Sequence, residues 1–268
     1  MSTLKIGIAG FGAIGRSIAQ YLVKGIPNIE LSAVGVRNPD SPRAFDWGEH
    51  PTPAFCLLED LEPHCDIVIE CAPAELLSSI AIPVLSKGKK IISLSSGALL
   101  NHPELIDLAE KHHGQILVPS GAILGLDALF AAAQGEISSV KMISKKPPIG
   151  FQGAPHVEKM GIDILNIQEP TLLYSGTARE VAEGFPANLN VAISVSLAGV
   201  GPDRTQIEVW ADPTIKHNTH KIEVVSDSAL LNMQIENIPS ENPKTGRITA
   251  QSVIALLKKQ SAALAVGT

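Results

Sequence analysis

Three glycines and one histidine carry the chemistry that this sequence offers most plainly. Gly10, Gly12 and Gly15 stand in the order Gly-x-Gly-x-x-Gly, in the run Gly10-Phe11-Gly12-Ala13-Ile14-Gly15. A glycine at the first position permits a tight turn, one at the second lets backbone approach a pyrophosphate, and one at the third lets a helix pack closely on a strand. The helix N-terminus then presents unpaired amides to the anion. His220 heads a run in which His220, Ile222 and Val224 alternate with polar residues, so its imidazole shares the apolar face of a strand. Its ordinary titration range suits proton transfer near neutrality. A satisfied core histidine is the plainer reading of such a position.

The elements around these residues give them their context. An apolar strand over residues 4–9 leads into the glycines, and Ile14, Ile18, Ala19 and Leu22 continue at helical spacing. Strand before and helix after are what a dinucleotide fingerprint requires, so NAD or NADP is the expected cofactor. Further strands are expected at 31–36, 67–71, 90–94 and 115–118, alternating with helical stretches, the pattern of a doubly wound parallel sheet of Rossmann type. A helix before the last of these has Asn101 and Glu104 as a capping-box start, Pro103 in its first turn and Gly114 as its stop.

Beyond Pro119 the patterning changes. A helix is expected over 125–134, a strand over 140–144, a rigid turn at Lys145-Lys146-Pro147-Pro148 and a helix over 188–198. Three runs then alternate with period two, through Ile207, Val209 and Ala211, through His220, Ile222 and Val224, and through Leu231, Met233 and Ile235. They predict a second α+β domain on a mostly antiparallel sheet with one buried face. The expected organisation is a dinucleotide-binding domain over 1–120, a substrate domain over 121–240 that dimerises, and a C-terminal segment, 241–268, whose helix returns to the first domain.

Composition narrows the class. The chain has 268 residues, 45% of them hydrophobic, and a net charge of −6, which gives no overall attraction to nucleic acid or to anionic membranes. No apolar run reaches the roughly 18 residues needed to span a bilayer. The first residues enter a strand without the order of a signal peptide, so a cytoplasmic protein is expected. Cys56, Cys65 and Cys71 lack paired spacing and read as reduced thiols, and the histidines lack ligand spacing, so no metal is expected.

An NAD-specific fold usually ends its second strand in an acid that binds the ribose hydroxyls. Here that position holds Arg37, a cation suited to a 2′-phosphate, which makes NADP use plausible. A solvated loop cation is the simpler reading.

Several segments together resemble the L-aspartate dehydrogenases. They are Gly10-Phe11-Gly12-Ala13-Ile14-Gly15, Pro119-Ser120-Gly121-Ala122-Ile123-Leu124-Gly125-Leu126-Asp127-Ala128, Lys146-Pro147-Pro148, Phe185-Pro186-Ala187-Asn188-Leu189-Asn190-Val191-Ala192, Trp210-Ala211-Asp212-Pro213, Asn218-Thr219-His220 and Glu241-Asn242-Pro243-Lys244-Thr245. The resemblance implies NAD(P)-dependent oxidation of L-aspartate to iminoaspartate, feeding pyridine nucleotide biosynthesis, in a two-domain homodimer. It also implies that His220 is catalytic and that Ala122 and Asn188 contact the nicotinamide nucleotide. A substrate with two carboxylates calls for cations, and Lys146 and Lys244, both beside prolines, are the candidates; surface lysine is the alternative for each. Two other readings stand beside this one. The first is another two-domain Rossmann reductase, of dihydrodipicolinate-reductase or homoserine-dehydrogenase type. The second is a nucleotide-sensing protein without chemistry.

Overall fold

The computed structural model describes residues 3–41, 43–185, 189–239 and 246–267. The chain divides into two compact units, one running to Gly121 and including Thr249–Val266, the other covering Ala122–Ile248.

In the first unit the strands are β1 (Leu4–Ala9), β2 (Ile29–Gly35), β3 (Ala54–Cys56), β4 (Ile67–Glu70), β5 (Lys90–Ser93) and β6 (Gln115–Leu117). All pair in parallel, in the order β3-β2-β1-β4-β5-β6. The chain therefore winds outward from β1 in one direction and then from β4 in the other. The crevice at the carboxyl ends of β1 and β4 is the switch point where open α/β sheets take their ligands.

Helices α1 (Ala13–Leu22), α2 (Leu77–Ser86) and α3 (Glu104–His112) connect these strands. A later helix, α8 (Arg247–Ser261), puts Ala250, Val253, Ile254 and Leu257 into one core cluster with Ile6, Ile8, Ile18 and Ile69. At roughly 1.5–3 kcal/mol for each large aliphatic side chain fully buried, that cluster ties the end of the chain to β1.

The start of α3 differs from the capping box expected. Asn101 closes a preceding 3-10 turn, Pro103 stands at the cap with no side-chain hydrogen bond, and Glu104 pairs instead with His102 at 2.8 Å. At the other end His113, not Gly114, adopts the left-handed conformation, at φ 58°.

The second unit contains α4 (Leu126–Ala132), β7 (Ile137–Lys146), α5 (Pro155–Lys159), β8 (Thr171–Thr177), α6 (Ala178–Gly184), α7 (Leu189–Ala198), β9 (Thr205–Ala211), β10 (Asn218–Ser226) and β11 (Leu230–Asn237). Its sheet has the order β11-β10-β7-β9-β8, antiparallel except for the parallel pair β7 and β9. Helices α6 and α7 pack on the β8 and β9 side. β7 runs two residues beyond the strand expected, because a residue before proline is pushed to extended backbone, and Lys146 precedes Pro147. Lys146 is therefore the last residue of a central strand and not part of a turn.

Period two sets the faces of this sheet. Val140 and Met142 of β7, Ile207 and Val209 of β9, and Ile222 and Val224 of β10 are all buried; Met142 registers with Ile207 on one side and Ile222 on the other, and Val140 with Val224. Toward one end of the same face the side chains become polar, and that end is the site described next.

Candidate active site

The nucleotide cradle is built by backbone constraints in the first unit. Gly10 has φ +97°, and a Cβ there would lie 2.8 Å from the Cys71 carbonyl oxygen, so only glycine lets the β1 and β4 turns sit this close. A Cβ on Gly15 would stand 2.2 Å from the Gly10 carbonyl oxygen, which fixes α1 against the turn. Gly12, in contrast, has nothing within 4 Å of the position its Cβ would take. It also caps α1, whose first turn carries no acid to compete with an anion. A crowded turn, an open glycine and a free helix N-terminus fit a pyrophosphate.

Ala13 is exposed beside Gly12, while Ile14 packs against the core. The Phe11 ring turns away into an aromatic group, stacked on Trp47 at 5.8 Å with Phe45 and Phe55 at its edges. The Arg16 guanidinium lies 4.9 Å from the Phe11 centroid and its Nη1 donates to the Ala44 carbonyl at 2.8 Å. These contacts anchor the loop after β2 against the cradle.

Arg37, just past the end of β2, is exposed and has no ion pair among the described residues. Arg43 on the same loop donates to the carbonyls of Asn38, Pro39 and Ser41, which holds the loop's shape. At the end of β4 the wholly buried Glu70 carboxylate accepts from Ser93 Oγ at 3.3 Å, Ser95 N at 2.9 Å and Ser95 Oγ at 3.0 Å. Burial pushes its acidity toward the neutral form while these donors act against that shift. The turns after β4 and β5 are joined through this one side chain.

In the second unit the polar end of the inner sheet face collects Ser144, Lys146, His220 and Asn237. His220 is 3% exposed and lies directly across the β10–β7 pair from Ser144. Lys146, two residues further along β7, is half-buried, with its Nζ 6.0 Å from the centroid of the buried Phe151 ring. Burial pushes the Lys146 ammonium down to about 8. Burial first, and the Lys146 charge second, push the His220 imidazole down to about 3, so it is neutral throughout the physiological range. A neutral buried imidazole can accept a proton, and a cation beside it can hold an anion.

Asn237 closes β11, and its Nδ2 donates to the Ala122 carbonyl at 2.9 Å. Nearby, Gly125 caps α4 at φ +68°, where a Cβ would fall 2.0 Å from Met233 Sδ. β11 thus grips the turn that carries Ala122 at two points.

The structure brings His220 and Lys146 together and puts Ala122 under the hold of Asn237. Asn188 and Lys244 lie outside the described residues. Ser144 and Asn237 were not read from the sequence, yet the signal existed. The period through Val140 and Met142 lands on Ser144 and Lys146, and the period through Leu231, Met233 and Ile235 lands on Asn237, so polar residues fall at inward positions. Among the described residues, no group of three or more His, Cys, Asp or Glu side chains could hold a metal ion, and no helix is long and apolar enough to cross a membrane.

Comparison with known proteins agrees with this division of labour. The family described as homoserine dehydrogenase, NAD binding domain, matches residues 10–119, and the family described as aspartate dehydrogenase, C-terminal, matches residues 127–260. L-aspartate dehydrogenase 3 of Bordetella bronchiseptica is 59% identical over 99% of this chain and 98% of its own length. L-aspartate dehydrogenase of Bradyrhizobium diazoefficiens is 53% identical over 100% of this chain and 95% of its own. Among solved structures, aspartate dehydrogenase from Thermotoga maritima has the same fold, with a TM-score of 0.75 at 22% identity over 98% of this chain and 99% of that one. A nucleotide cradle on a parallel sheet, a histidine and lysine on a second sheet, and relatives of this identity over the whole length lead to one assignment: the chain belongs to the L-aspartate dehydrogenase family of oxidoreductases.

Proposed function

We propose that the protein oxidises L-aspartate to iminoaspartate with NAD or NADP as acceptor, and that His220 and Lys146 are the residues that handle the substrate. The observation carrying this reading is their placement on neighbouring strands at the polar end of an otherwise apolar sheet face, Lys146 two residues beyond the Ser144 that registers with His220 and near enough for its charge to act on the imidazole. Lys146 binds a substrate carboxylate, as an ammonium within a partly desolvated site should. His220, held neutral, takes the proton that the substrate ammonium must lose before an imine can form. The bound nicotinamide supplies the hydride acceptor. The cradle of Gly10, Gly12 and Gly15 with the backbone of Phe11, Ala13 and Ile14 holds the pyrophosphate, Ala122 and Asn188 contact the nicotinamide nucleotide, and Arg37 favours a 2′-phosphate. Lys244 is a second candidate for a substrate carboxylate. In this reading residues 1–120 bind nucleotide, 121–240 bind substrate and make a homodimer, 241–268 return to the nucleotide domain, and the protein works in the cytoplasm.

Absorbance at the reduced nicotinamide band tests it, with L-aspartate, L-glutamate, L-alanine and homoserine each run against NAD and NADP. L-aspartate should give by far the highest rate. A rate with homoserine and none with L-aspartate would overturn the reading.

A further inference from the structure

The buried polar atoms left without a hydrogen-bond partner among the described residues are Ser144 Oγ, His220 Nδ1 and Asn237 Oδ1. The first two belong to residues that register with each other across the β7–β10 pair. Directly opposed residues of an antiparallel pair have Cβ atoms about 4.5–5.5 Å apart, within reach of a hydroxyl and an imidazole. The strand neighbours beyond them are apolar, Val209 opposite Ser144 on β9 and Ile235 opposite His220 on β11. Ser144 is 1% exposed. Leaving either atom unsatisfied costs folding free energy, and such costs persist where function uses them.

We infer that Ser144 is the positioning residue of His220: its hydroxyl, not bonded to the ring as the two side chains stand, accepts the hydrogen bond of Nδ1–H after a rotation about its Cα–Cβ bond or through one water, and so leaves the Nε2 lone pair for the substrate proton. In a neutral imidazole the nitrogen that carries the proton is set by the partner of the other nitrogen. A hydroxyl can accept that bond, whereas Lys146, the other polar residue at this end of the inner face of β7, can only donate. The held-neutral state of His220 makes the choice of tautomer decisive, because only one of the two forms presents a base to the substrate. This inference rests on His220 as the proton acceptor.

The test is nitrogen NMR on protein labelled at histidine, with the His220 signals assigned by their loss in His220→Gln, alongside steady-state kinetics. Wild type and Ser144→Thr should show the Nδ1-protonated form. Ser144→Ala should show a mixture of tautomers and a kcat lower by about ten-fold, the value of one orienting hydrogen bond, with KM for the nucleotide unchanged. Ser144→Cys, a weak acceptor of similar size, should move in the same direction and serves if the alanine variant is unstable. An unchanged tautomer in Ser144→Ala, or a tautomer that changes in Lys146→Met and not in Ser144→Ala, would overturn the inference. If His220→Gln leaves kcat intact, the dehydrogenation role of His220 fails instead, and the NMR still decides whether Ser144 holds the ring.

Discussion

The Asn237 amide donates to the Ala122 carbonyl over 2.9 Å, tying the last residue of β11 to the turn ahead of α4. If Ala122 contacts the nicotinamide nucleotide, the shape of that turn is part of cofactor affinity. Asn237→Ala should therefore weaken NAD(P) binding by about 1 kcal/mol, the net value of one hydrogen bond, or roughly five-fold in Kd. Isothermal titration with each nucleotide reads it; unchanged affinity would mean that the bond serves folding alone.

His220→Ala should lower kcat by roughly 100-fold to 10,000-fold, the span of general acid–base residues, while nucleotide affinity stays near that of the wild type. A packed histidine with no chemical role would instead lower Tm and leave the rate per folded molecule intact.

The same histidine makes an acid signature. Its folded titration point, about 3, lies below the ordinary 6.5 of an exposed imidazole, so between these values the unfolded chain binds a proton that the folded chain refuses. Stability is then whole above about pH 6.5 and is lost as the pH falls toward 3. Urea midpoints measured from pH 7 downward should fall more steeply for wild type than for His220→Gln.

Lys146 gives the opposite limb. Its ammonium, titrating at about 8, loses charge above that point, so KM for L-aspartate should rise there. Lys146→Met should raise KM across the whole range by roughly ten-fold or more, for the lost charged hydrogen bond, and abolish the pH dependence. In Lys146→Arg the limb should disappear because a guanidinium keeps its charge.

Arg37→Asp should weaken NADP binding by about 1.5–3 kcal/mol and NAD much less, because the exposed guanidinium is the cation at the end of β2. Equal losses for both nucleotides would assign Arg37 to the loop's own structure.

The sequence carried this site unevenly, for reasons that particular residues explain. The glycine triplet was legible because Gly10 and Gly15 meet backbone constraints that no other residue satisfies, with the open Gly12 at the spacing between them, and His220 because its strand alternates without a break. Lys146 read as a turn residue because two prolines follow it, although the first of them is what keeps it extended. β8 was not foreseen at all. Leu172 and Leu173 stand side by side, and the register with β9 shifts between Leu172 and Tyr174, so the alternation that marks a strand is interrupted. α6 was not foreseen either, although Thr177 and Glu180, which form the capping box observed, stand at the spacing that marks a helix start. Ser144 and Asn237 escaped notice because a polar residue in a strand is ordinarily assigned to the solvent face.

The aromatic group around Phe11 has a consequence for observing the enzyme. The chain holds two tryptophans, Trp47 in the first unit and Trp210 in the second. Trp47 stacks on the ring of a residue flanked by two cradle glycines. Trp210 lies on β9, with its indole N–H donating to Glu208 at 3.0 Å. Emission from a Trp210→Phe variant would thus come from one indole seated against the nucleotide cradle, giving an optical titration of cofactor arrival that needs no substrate and no turnover.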